Sequence, residues 1–356
     1  MSKRRHEEPL FDSTDTTSTS VYNPQRIPDF TNDLWKMSRE RWKDHILRMI
    51  KENQDYIDEE VNGYYIFLTS SNVEFIFTLC VRLQLPNDVR YLSILLFDRY
   101  MTTQIASIHN EVYSSKDDDE LKAERWGNVL NRFYSQSVLR IVSCLSIAVK
   151  ALYYKLTLTT KKQYQILRSM NFMYDDDAIQ RSESRVFSAI MFEININRSP
   201  VFMIEHHICF LIDQHKELIG PVDPEAIWEY SILYCDFVYL NLNPFYCKLF
   251  RQMHGEPSGV NEIAPERIWK LEADYLTLTS SVVLTSIHVL HGDEKVRIVA
   301  NLFRKHMKVD QQEMIEFVTV LRDMILEYEP EQPTIILPEE LLGLKKVNGS
   351  YSPSIF

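Results

Sequence analysis

From residue 34 onward, apolar residues recur at helical spacing. Trp35, Trp42, Ile46, Met49 and Ile50 fall on one stripe of an otherwise charged stretch, which predicts an amphipathic helix. Thr31-Asn32-Asp33 before it supplies N-cap chemistry. Ser71-Asn72-Val73-Glu74 has the form of a capping box, and Phe75, Ile76, Leu79, Cys80 and Leu83 continue the helix it opens. Pro86-Asn87-Asp88 breaks that helix and starts another, through Leu92, Leu95, Leu96 and Phe97 to Tyr100. Residues 110–133 are polar and contain the charge run Lys116 to Glu120. This predicts a long solvated loop with one helical turn near Trp126.

Val138 to Tyr154 is apolar on nearly every face, with the small residues Ser143, Ser146, Ala148 and Ala151 interleaved. Such a helix belongs at the centre of a bundle, with neighbours close on several sides. Lys150 is its only charge after Ile141. After a further loop, Asp175-Asp176-Asp177 opens a helix with carboxylates at its positive dipole end. Its apolar stripe is Ile179, Val186, Phe187, Ile190, Met191 and Ile194. Glu183 falls on that same face, where a carboxylate without a partner is costly. Asn197 to Pro200 is a linker, with Pro200 suited to the first helical position. Helical patterns then cover 201–218, 223–253, 265–290 and 294–329, the last broken near Val309-Asp310. Residues 1–30 and 330–356 read as a disordered lead-in and a flexible tail. The pattern is therefore all-α, in two helical blocks of similar size without a solenoid repeat.

Composition agrees with helices. Only 8 glycines occur in 356 residues, too few for the many tight turns of a doubly wound sheet or a TIM barrel. The net charge of -11, with no basic stripe, argues against direct binding to nucleic acid. No uninterrupted apolar run is long enough to predict a membrane span. Lys3-Arg4-Arg5 lacks the apolar segment of a secretory signal and is compatible with nuclear import. Cys80, Cys144, Cys209, Cys235 and Cys247 are scattered and read as reduced core thiols of an intracellular protein.

Motifs for chemistry are missing. No phosphate loop, dinucleotide fingerprint, nucleophile elbow or zinc helix occurs, so no catalytic residue, cofactor or metal is expected. His206 and His207 are adjacent, which predicts one packed and one solvated imidazole. Ser199-Pro200 and Ser352-Pro353 are minimal sites for proline-directed kinases. Ser199 is better placed to cap a helix, leaving Ser352 as the candidate phosphorylation site.

The order of these signals resembles the cyclin family, whose five-helix cyclin box occurs twice in tandem. The first box would span 70–196 and the second 199–328, with 31–69 forming an N-terminal amphipathic helix and its connection. Three stretches carry the resemblance. An Asp-Arg pair lies near the end of the second helix, here Asp98-Arg99 in Leu95-Leu96-Phe97-Asp98-Arg99-Tyr100. The third helix has an early leucine and a lysine eleven residues on, here Leu139 and Lys150. The fifth helix has a glutamate before an apolar series, here Glu183. In the family this lysine and glutamate hold backbone groups of the kinase's C-helix region. The resemblance thus implies a non-catalytic regulatory subunit binding a cyclin-dependent-type protein kinase through Lys150, Glu183, Ile147, Ala151, Phe187, Phe192 and Ile194. An internal Lys150–Glu183 ion pair tethering two helices is the alternative reading of the same charges.

The chain also departs from the family. Tyr64 to Asn72 contains no basic residue, which predicts that Asp98 lacks its usual arginine partner and that basic substrate motifs do not dock there. Leu152 and Tyr153 replace the two acidic residues that usually follow the lysine. These departures resemble the meiotic branch, the cyclin N-terminal-domain proteins that mark crossover sites. That likeness implies a nuclear protein on meiotic chromosomes, with recombination proteins among its partners. A cyclin-fold scaffold that recruits recombination or chromatin proteins without activating a kinase is the other expectation.

Overall fold

Helices carry nearly all the regular structure. The computed structural model describes residues 27–31, 36–60, 68–153, 156–255 and 265–328, and the backbone of 344–347 and 350–353. Residues 1–26 of the expected lead-in, Trp35 and the predicted cap at Asn32-Asp33 lie outside the described residues, as do Tyr64 to Phe67 and most of the tail, whereas Ile27 and Phe30 of the expected lead-in pack on the core. In chain order the helices are α1 (Arg39–Glu60), α2 (Ser70–Arg82), α3 (Asn87–Tyr113), α4 (Asp119–Leu152), α5 (Thr160–Ser169), α6 (Asp176–Ala189), α7 (Pro200–Gln214), α8 (Lys216–Ile219), α9 (Pro224–Leu240), α10 (Leu242–His254), α11 (Pro265–Ala273), α12 (Tyr275–His291), α13 (Asp293–Met307) and α14 (Gln311–Glu327).

The fold is all-α, in two blocks that each surround one buried helix. In the first block α4 packs on α3 and α6, with α2 on α3 and α5 on α6. Every residue from Ser137 to Val149 is buried, the outcome expected of a helix apolar all round. By length and composition α4 could cross a membrane, but its apolar window is mostly buried against its neighbours. In the second block α12 packs on α7, α9, α13 and α14, with Tyr275 to Ile287 buried throughout. Its hydroxyls bond back to carbonyls one turn earlier: Thr279 to Tyr275, Thr285 to Ser281 and Ser286 to Val282. Those bonds satisfy these three buried hydroxyls, while that of Ser281 on the same helix has no partner among the described residues. Gly292, at a φ of 78° that side chains disfavour, turns the chain from α12 into α13.

The N-terminal amphipathic helix α1 packs on the second block, touching α11, α12 and α13. Trp42, nearly fully buried, donates its indole N–H to Asp213 at 2.6 Å and packs on Phe210.

Several local expectations are corrected. The predicted loop at 110–133 is helix except for residues 114–118. Asp118 caps α4 by accepting from the Leu121 amide at 2.8 Å, and Asp119 and Glu120 occupy its positive end. The charge run is therefore a helix start, and buried Trp126 and Leu130 anchor the helix inward. The cap of α2 is Thr69, which accepts from the Asn72 amide, so Ser71 and Glu74 do not form a capping box. The loop expected after Tyr154 contains α5, capped by Thr159. His206 and His207 are both buried, because α7 is enclosed by α9 and α12 and by aromatic rings on α1 and α13. Ser199 is buried at the start of α7, but its hydroxyl caps nothing. In the tail, Leu344–Val347 and Ser350–Pro353 pair as an antiparallel hairpin, with Lys345 opposite Ser352.

Candidate functional site

Lys150 and Glu183 meet where the C-terminal end of α4 crosses the middle of α6. Lys150 Nζ donates to Glu183 Oε1. Ser146, one turn earlier on α4, donates to the other carboxylate oxygen at 2.9 Å. Buried Gln163 of α5 donates to Ser146 Oγ at 3.0 Å and to the Leu158 carbonyl at 2.9 Å, which braces the serine. The carboxylate that looked misplaced on the apolar face is thus half-buried and satisfied at a three-helix junction.

One side of this pair stays open. The Lys150 side chain is 49% exposed and that of Glu183 23%. An ion pair so accessible contributes only about 0–1 kcal/mol to stability. It is a weak tether, and it leaves Lys150 with donors to spare. Helix α4 ends just beyond, where Tyr153 turns back and donates its hydroxyl to the Asp88 carboxylate at 2.6–2.8 Å.

The apolar residues divide. Ile147 is buried at 4% exposure and packs into the core of the first block. Ala151, Phe187 and Ile194 are half-buried beside the core. Phe192 is 65% exposed and leans edge-on against Phe187, with ring centres 5.0 Å apart. Met191 beside it is 67% exposed. The sequence pattern placed Met191 on the buried stripe, but α6 stops at Ala189. The chain then passes through φ values of 56° at Met191 and 60° at Phe192. Left-handed backbone at bulky residues costs about 1–2 kcal/mol each and persists where the surroundings enforce it.

Arg99 supplies part of that enforcement. It reaches from α3 to the Glu193 carboxylate at 2.9 Å and lies 3.4 Å from the Glu193 carbonyl oxygen, pinning the turn. Leu139 is buried in the core of the first block. Asp98 is half-buried and takes part in an interaction, while Tyr64 to Phe67 of the segment expected to lack its arginine lie outside the described residues. Ser146, Gln163, Met191 and Glu193 were missed from the sequence, although the four-residue spacing of Ser146 and Lys150 puts both on one face of α4. Among the described residues, no group of three or more His, Cys, Asp or Glu side chains is placed to hold a metal ion.

No protein-family model matches the chain, and no solved structure matches it. It is similar to the human (Homo sapiens) protein "Cyclin N-terminal domain-containing protein 1", with 20% identity over 266 residues, covering 75% of this chain and 79% of that protein. The mouse (Mus musculus) protein of the same name is 19% identical over 257 residues, covering 72% of this chain and 75% of its own length. With the all-α fold, these similarities support a cyclin-like relationship.

Proposed function

We propose that this chain is a non-catalytic, cyclin-like regulatory subunit that docks a cyclin-dependent-type protein kinase on the edge formed by Lys150 and Glu183. The observation that carries this reading is the open ion pair with exposed Met191 and Phe192 presented nearby on a strained turn. Lys150 has N–H donors left for a backbone carbonyl, and Glu183 has lone pairs left for a backbone amide. Phe192, Phe187, Ala151 and Ile194 would cover the apolar face of a kinase helix. Activation would be a population shift toward the ordered kinase state, with no bond made or broken by this chain. Action in the nucleus during meiotic crossover formation, with recombination proteins as further partners, rests on the resemblance alone.

One observation favours a second reading, a scaffold that binds without activating. Tyr153 and Leu152 stand where acidic contact residues usually follow the lysine, and the Tyr153 hydroxyl is already taken by Asp88. A phosphorylation assay with purified cyclin-dependent-type kinases separates the two. Stimulated turnover supports the regulatory subunit; stable binding without stimulation supports the scaffold.

A further inference from the structure

Helix α9 is apolar on more sides than its neighbours cover. Its inner faces are filled by Ile227, Trp228, Ile232, Cys235, Val238 and Tyr239, all buried. On the outside Tyr230, Leu233 and Leu240 are exposed, Leu233 at 57%, and Phe237 on the same side is half-buried. Steps of three, four and three residues put these four on one seam, about 15 Å long. Apolar residues scattered singly over a surface are ordinary, but a continuous seam of them is not. Tyr328, 55% exposed, stands edge-on to Phe237 with ring centres 5.5 Å apart, so the end of α14 walls one side of the seam.

Spacing and charge together define what fits there. A three-four-three repeat is the heptad pattern by which one helix seats its side chains in the gaps of another, and the charges beside such a seam select the partner. Here they are acidic. Exposed Glu229 directly precedes Tyr230, and exposed Glu225 lies one turn earlier. Asp236 precedes Phe237 in the same way but is already paired with Arg90. Helix α9 contains no lysine or arginine. A second copy of the chain would bring the same carboxylates and no cation from its own α9, and the net charge of -11 opposes self-association. A helix with basic flanks meets opposite charge instead.

We propose that the outer face of α9 docks an amphipathic helix of a partner protein, one with apolar residues spaced three and four apart and Lys or Arg beside them. Leu233 and Phe237 would take the partner's central apolar side chains, and Glu225 and Glu229 its cations. The face lies in the second block and uses neither Lys150 nor Glu183, so it stands or falls separately from the kinase-docking reading.

The test is fluorescence anisotropy of the full chain with a labelled helical peptide that carries four leucines at this spacing, lysines beside them and alanine elsewhere. Saturable binding is expected, at least about tenfold tighter than to a scrambled peptide of the same composition or to one with glutamates for the lysines. Leu233→Ser, at an exposed position and checked for an unchanged unfolding midpoint, should weaken binding about tenfold. Glu229→Gln should weaken it less and reduce its salt dependence. Leu47→Ser, at an exposed apolar position on α1, should leave it unchanged. No binding by the wild-type chain, equal binding of the scrambled peptide, or undiminished binding by Leu233→Ser overturns the proposal. So does a wild-type dimer in sedimentation velocity that Leu233→Ser dissolves, which would give the face to a second copy.

Discussion

Arg90 and Asp236 join the two helical blocks: Arg90 Nη2 lies 2.6 and 2.5 Å from the two carboxylate oxygens of Asp236. The Tyr91 hydroxyl also donates to Asp236, and Arg90 lies over the Phe77 ring at 4.5 Å. The two side chains are 11% and 20% exposed, so little water reaches the pair. Truncating one partner strands the other charge. Asp236→Ala should cost about 3–5 kcal/mol in urea unfolding, and Arg90→Met with Asp236→Leu much less. A cost below about 1 kcal/mol for Asp236→Ala would mean that the seam is held elsewhere.

The helical start of α4 predicts protected amides where the sequence pattern suggested a loop. In hydrogen exchange, backbone amides from Trp126 to Phe133 should be slowed well beyond random-coil rates. Asp118→Ala should speed exchange in the first turns and cost about 1 kcal/mol. Coil-like exchange throughout this segment would return it to a loop.

Buried histidines set an acid limit on stability. Burial pushes the His206 pKa from 6.5 down to about 4, with the Phe202 carbonyl opposing and His45 adding to the fall. Burial likewise pushes His207 from 6.5 down to about 3. Both are lower in the folded state, so between pH 6.5 and 4 the unfolded chain holds more protons. The stability they contribute is complete above pH 6.5 and is lost as the pH falls through this window. The slope is up to about 1.4 kcal/mol per pH unit for each histidine. Urea midpoints between pH 7 and 5 should therefore drop, and His206→Gln should remove about one proton from the slope. Equal slopes in the variant and the wild type would contradict this.

Ile147 and Phe192 should behave oppositely. Ile147→Ala empties a core position and should cost about 2–5 kcal/mol. Phe192→Ala removes a mostly exposed ring and should change stability by less than about 1 kcal/mol, while weakening any kinase complex. A large stability loss for Phe192→Ala would make the ring structural.

Helix class and the central helix α4 were legible because α4 is enclosed on all sides, and that shows as unbroken apolar and small residues, whereas the pattern over 265–290 did not separate α11 from the equally enclosed α12. Boundaries were less so. The Lys116 to Glu120 run reads as solvated by charge alone, whereas Asp118 uses its charge to cap a helix. At the candidate site, Lys150 and Glu183 stood out as charges on apolar helices. Met191 did not, because its exposure follows from a left-handed turn that hydrophobic spacing does not encode.

Binding of purified cyclin-dependent-type kinases to the full chain, measured by surface plasmon resonance, tests the central claim most directly. The Lys150→Ala/Glu183→Ala variant, first checked for an unchanged unfolding midpoint, should bind its kinase at least about tenfold more weakly than the wild type. Equal affinity in the two proteins, or no binding of any such kinase by the wild-type chain, would contradict the account.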